Sequence, residues 1–227
     1  IFCQLFVSDW ADWGKGKWFQ VAMGIALTWL VVAVGAMKLD LGKWVNNAGA
    51  VFKTLIILAL GIGGVVAAMS DGAANSITVA NAVPSVGDAK TYLPVIIFMM
   101  LGFELISSLS EEVKRPEKII PRTLFSSGAI LAFLYVFATI GILLALPLED
   151  LGLVEGLVDT FKAIFGTSGF GEVLVYALGI AAMYTFFTNM TTWSMGANRS
   201  AQEAAAAGEL PAVLGREHPV RRTTVGA

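Results

Sequence analysis

This chain is poor in the residue types on which most soluble chemistry depends. It has one cysteine and one histidine in 227 residues, so no internal disulfide can form and no Cys/His zinc cluster can be assembled. Cys3 has no second thiol and reads as a free, inert one; His218 lies in a basic, proline-flanked stretch and reads as an exposed loop residue. Charged residues are only 14% of the chain, against ~25% in soluble domains. Nucleophile–base pairs and metal-ligand clusters are also missing. The run Gly166-Thr167-Ser168-Gly169-Phe170-Gly171 has no strand before it and no lysine in register after it, so it reads as a flexible turn and not a phosphate loop. Neither an enzyme nor a nucleic-acid binder is expected, and no catalytic residue, metal site or cofactor.

What the chain has in abundance is apolar sequence: 56% hydrophobic residues and a mean hydropathy of +0.74. Five apolar segments are expected as transmembrane helices, over about 18–37, 50–70, 91–110, 123–148 and 173–198. Each approaches or exceeds the ~17 residues a spanning helix needs. None shows the polar/apolar alternation of a membrane barrel. Together they form a single all-α transmembrane domain. Lys38, Lys43, Lys53, Lys114, Arg115, Lys118, Arg122, Arg199, Arg216, Arg221 and Arg222 fall on one side of it, and Lys15, Lys17, Lys90 and Lys162 on the other. The positive-inside rule makes the richer side cytoplasmic. On the outer side, Leu153, Leu157, Phe161 and Phe165 recur every fourth position, which predicts an amphipathic helix over about 153–165 lying along the outer surface. The chain opens on Ile1 without a charged leader and is expected to be part of a longer polypeptide.

Glu104 is the only charge between Tyr92 and Ser110. A carboxylate at that depth costs roughly 2.5–3.5 kcal/mol and marks a transport pathway or relay. Two residues earlier stands Gly102, where the backbone is free to leave helical geometry. A break there exposes amides and carbonyls that lipid would not tolerate but that a cavity can use, with a half-helix end facing an anionic group. The alternative is a continuous helix with Glu104 protonated inside the bundle.

Gly102-Phe103-Glu104, followed by Glu112-Val113-Lys114-Arg115-Pro116 and Ile120-Pro121-Arg122, resembles the sixth-helix signature of the amino acid-polyamine-organocation (APC) superfamily of permeases. Asn198 to Ala201, running through the alanines to Gly208-Glu209-Leu210-Pro211, is similar to the end of that superfamily's eighth helix. The resemblance covers the whole chain, as roughly helices four to eight. It implies part of a five-plus-five inverted-repeat (LeuT-like) fold in which the first and sixth helices are broken at the substrate site.

The same resemblance implies a secondary active permease in the cell membrane, moving amino acids or related amines by alternating access. The unwound centre would be Leu101, Gly102 and Phe103, with Glu104 beside it, Phe98 as an aromatic gate and Trp193 as a pocket wall. Lys53 would occupy the place where sodium-coupled relatives bind their ion, so that transport is sodium-independent, either proton-coupled through Lys53 and Glu104 or an exchange. Its partners would be the small-molecule amino acid or amine, protons and membrane lipid. A channel or a non-transporting nutrient sensor on the same fold is the alternative, because fold does not fix function.

Overall fold

The computed structural model describes residues 16–35, 39–78, 83, 85–99, 101–102, 113–148 and 156–216. Among the described residues all regular structure is helical: α1 (Lys17–Gly35), α2 (Leu39–Asp71), α3 (Val86–Met99), α4 (Pro116–Ala145), α5 (Gly156–Phe165) and α6 (Gly169–Ala206). Lys17–Gly35, Trp44–Asp71, Pro116–Ala145 and Gly169–Ala206 are long and apolar enough to cross a membrane; the apolar part of α3, Ala89–Phe98, is shorter.

The helices depart from the apolar segments at their ends, and each departure has a local cause. Helix α2 begins at Leu39, well before position 50, because Leu39–Asp71 contains no proline to interrupt it. Tyr184 donates to the Val45 carbonyl at 3.0 Å. Helix α4 takes in the charged residues Glu117, Lys118 and Arg122, since Pro116 stands at its first position, where a missing N–H costs nothing. It stops at Ala145, short of 148, because Leu146 precedes Pro147 and is held extended at φ −128°, ψ 137°. Helix α6 runs past 198 through an alanine-rich stretch of high helix propensity. It closes at Ala207–Glu209, where Glu209 N–H bonds the Ala204 carbonyl (2.9 Å) and Gly208 N–H that of Ala205 (3.2 Å).

Helix α2 is the centre of the bundle, packing on α4 along its later half and on α6 along its earlier half. Gly61 lies against the Phe137 ring and Gly64 against the Gly141 backbone, while Gly49 meets Thr188 and Gly63 meets Phe165 just ahead of α6. Helices α2 and α4 therefore run parallel, with α6 antiparallel to both. At the α2–α4 crossing the two backbones touch. A Cβ on Gly64 would overlap the Gly141 carbonyl, and one on Gly141 would come within 2.6 Å of the Gly61 carbonyl. Small residues at such crossings let main chains approach and gain dispersion contact that lipid cannot offer. Just beyond, the loop after α2 closes the end of α4. Asn75 Nδ2 donates to the Leu143 and Leu146 carbonyls, each at 2.7 Å, and Ala74 N–H donates to Leu144 at 2.8 Å. Carbonyls that a helix end leaves unpaired are thus satisfied from another element.

The segment expected as an amphipathic helix packs its apolar face into the core. In α5, Val158 and Phe161 are completely buried and cluster with Ile56 and Leu60 of α2, Ala138 of α4, and Val175 and Ala182 of α6. The four-residue period does mark its apolar face, with Leu157, Phe161 and Phe165 turned inward and Asp159 exposed; Leu153 lies outside the described residues. That face is covered by helices, because three of them end around it.

Gly64→Val should destabilise the full-length protein by about 1–3 kcal/mol, as overpacking does. Gly24→Ala, where a Cβ meets nothing within 4 Å, should leave the thermal midpoint in detergent unchanged. Equal midpoints for the two variants would contradict the backbone contact.

Candidate functional site

Helix α3 ends at Met99 with Pro94 inside it. The chain then turns: Leu101 N–H bonds the Phe98 carbonyl at 3.2 Å, and Gly102 takes φ +106°, a conformation that L side chains rarely adopt. Helical geometry therefore ends at Met99, and Leu101 and Gly102 form a turn beyond it. Phe103 and Glu104 lie outside the described residues.

Gly102 rests on Trp193 of α6, where a Cβ on the glycine would sit 3.4 Å from the indole ring. These two residues, far apart in sequence, meet because α3 ends at the level of the second half of α6. Trp193 remains 40% exposed and Phe98, the last-turn aromatic of α3, 72% exposed, with Leu101 also open. The arrangement is a helix end and turn beside an indole ring, bordered by a second aromatic. Such a setting offers aromatic surface to aliphatic or cationic groups.

Lys53 is not part of this group. It is exposed on α2, whose neighbouring contacts fall on the Tyr184, Thr188 and Met195 side of α6. Trp193 is five positions from Thr188, about 140° around the helix at 100° per residue. The structure thus brings Gly102 to Trp193 and leaves Lys53 on another face.

Sequence reasoning passed over two features of α6. Asn189 is exposed one turn before Trp193, and Phe186 is exposed two turns before it on the same side. An amide in a span without charges was the available signal. The second feature is a buried threonine stripe. Thr185, Thr188 and Thr191 are at most 7% exposed, and their hydroxyls donate to the carbonyls of Ala182, Thr185 and Phe187 at 2.8, 3.0 and 3.0 Å. Hydroxyls paired within their own helix can be buried at little cost.

A cleft of about 440 Å³ lies elsewhere, lined by Ile62, Gly63 and Val66 of α2, Phe165 of α5, and Leu174 and Leu178 of α6. Leu178 is some 22 Å along α6 from Trp193 at ~1.5 Å per residue. The cleft is apolar apart from Ser70 and Asp71 and lacks the converging polar groups of a site for a zwitterion. Among the described residues no group of His, Cys, Asp and Glu is placed to hold a metal ion.

Long apolar helices packed through glycines are those of a multi-pass membrane protein. The chain belongs to the amino acid permease family, whose sequence profile matches residues 1–227. It is 33% identical over 217 residues to a probable agmatine/putrescine antiporter of Lactococcus lactis, covering 92% of this chain and 46% of that protein. A low-affinity putrescine importer of Escherichia coli is 33% identical over 126 residues (52% of this chain, 28% of the importer). A high-affinity methionine permease of Saccharomyces cerevisiae is 26% identical over 166 residues (69% and 29%). The chain spans less than half the length of these relatives. Family and relatives are transporters and not enzymes, and the bundle is part of the five-plus-five inverted-repeat fold in the cell membrane.

Gly102→Ala should cost about 1–3 kcal/mol through the strained φ, since the space beside Trp193 admits a methyl group. The check is the thermal midpoint of the full-length variant beside that of Gly128→Ala, where a Cβ meets nothing within 4 Å. A Gly102→Ala midpoint no lower than that control would refute the strain.

Proposed function

We propose that the full-length protein is a secondary active transporter of amino acids or related amines, working by alternating access without sodium and driven by exchange or by protons. The observation that carries this reading is the helix end and turn at Gly102, lying on Trp193, in a chain of the amino acid permease family. A half-helix end at membrane depth is tolerated where it lines a cavity, and there it can hold the charged group of a small substrate. In this reading Leu101, Gly102 and Phe103 supply backbone groups, Glu104 pairs with a substrate ammonium, Trp193 forms a wall and Phe98 closes over the substrate. Two of the relatives named above handle putrescine or agmatine, which favours amines as the first class to try. A diamine suits one carboxylate flanked by aromatic faces, since cations are attracted to both. Lys53 and Glu104 are the groups assigned to proton coupling.

The full-length protein, reconstituted in liposomes, should take up radiolabelled putrescine, agmatine, arginine or methionine saturably and show counterflow. Absence of flux with every one of these, or ion conductance without saturable exchange, would reject the proposal, the latter in favour of a channel. Lys53→Gln should abolish uptake driven by a proton gradient while leaving counterflow of the same substrate intact. Unchanged proton-driven uptake would remove Lys53 from the coupling role.

A further inference from the structure

Helix α4 has two faces of different character. Leu134, Ala138 and Gly141 are buried on the side that meets α2. On the opposite side Lys118, Arg122, Phe125, Ala129, Phe133, Val136 and Ile140 follow one another at intervals of three or four, the spacing of a single helical face. All of them are exposed among the described residues, Phe125 at 83% and Phe133 at 66%. The stripe therefore opens on two cations and continues as uninterrupted apolar and aromatic surface.

We propose that this face of α4 is a binding site for an anionic phospholipid in the leaflet at the helix's N-terminal end. Lys118 and Arg122 are one turn apart and present two positive groups to one phosphate, while Phe125 begins the apolar surface directly below them. From Arg122 to Phe133 the helix rises about 16 Å, close to half of the ~30 Å hydrocarbon thickness, which is the depth reached by one acyl chain of one leaflet. Lys114 and Arg115, also exposed, extend the positive patch. Glu117 is exposed as well, but a residue adjacent to Lys118 is turned about 100° from it and lies off the stripe. The same leaflet is the cytoplasmic one by the positive-inside rule, where clustered cations attract anionic lipid headgroups.

Charge complementarity selects this occupant over others. A second copy of the chain docked on this face by twofold symmetry within the membrane would bring Lys118 and Arg122 against the same two cations. Free phosphate would engage the cations but gain nothing from Phe125, Phe133 and Val136. A phospholipid satisfies both parts.

The test uses the full-length protein and native mass spectrometry with phosphatidylglycerol and phosphatidylcholine. Wild type should retain phosphatidylglycerol preferentially. Each cation near a membrane surface contributes about fivefold in affinity, so K118Q/R122Q should retain phosphatidylglycerol about 25-fold less strongly. K118R/R122K should behave as wild type. F125A/F133A should weaken retention of both lipids, and millimolar inorganic phosphate should displace neither. Wild-type retention by K118Q/R122Q, or displacement by phosphate, overturns the proposal. If K118Q/R122Q fails to insert, F125A/F133A decides, because retention unchanged from wild type also overturns it.

Discussion

In a bilayer every main-chain N–H and C=O must find its partner inside the protein, and the described structure follows from that requirement. It explains why all regular structure among the described residues is helical, why the buried threonines of α6 turn their hydroxyls back onto their own helix, and why Asn75 and Ala74 reach across to the last carbonyls of α4. It also makes the turn at Gly102 informative. Leu101 and Gly102 leave helical geometry at the end of α3, and the surface that Gly102 meets is Trp193.

Helix α2 holds the bundle together by a different kind of contact at each end. Its later half is joined to α4 by backbone approach at Gly61, Gly64 and Gly141 and by the Asn75 bonds, while its earlier half meets α6 through Gly49 and Thr188 and the Tyr184 hydroxyl. Between these regions the helix carries Phe52, whose ring lies edge-on to Tyr184 at 5.5 Å, and the exposed Lys53. Helix α5 fills the wedge where α2 and α4 end and α6 begins, so its two fully buried side chains contribute to the core more than its short length suggests.

Much of the apolar surface of this chain is open: Trp18, Trp29, Phe98, Phe125, Phe133 and Phe186 are all exposed. For a soluble domain such a surface would be an aggregation hazard. In a membrane protein it is where lipid or further helices can pack. Stripes that remain apolar along their whole length suit either neighbour. The α4 stripe opens on Lys118 and Arg122 and suits a headgroup.

Hydropathy and charge, which are additive along the chain, determined the membrane class and the helical character. The motifs around Gly102 and Pro116 were enough to identify the family. Helix ends were less legible, because they depend on local pairing: Leu146 before Pro147 shortened α4, and the proline-free turns before position 50 stayed helical. Tertiary structure alone decided that α5 is buried, that Lys53 and Trp193 occupy different faces of the bundle, and that Gly102 meets an indole ninety-one positions away. Those facts depend on which helices lie side by side, and side-by-side packing is set by close contacts such as Gly64 on Gly141, to which hydropathy, a property of each residue alone, is blind.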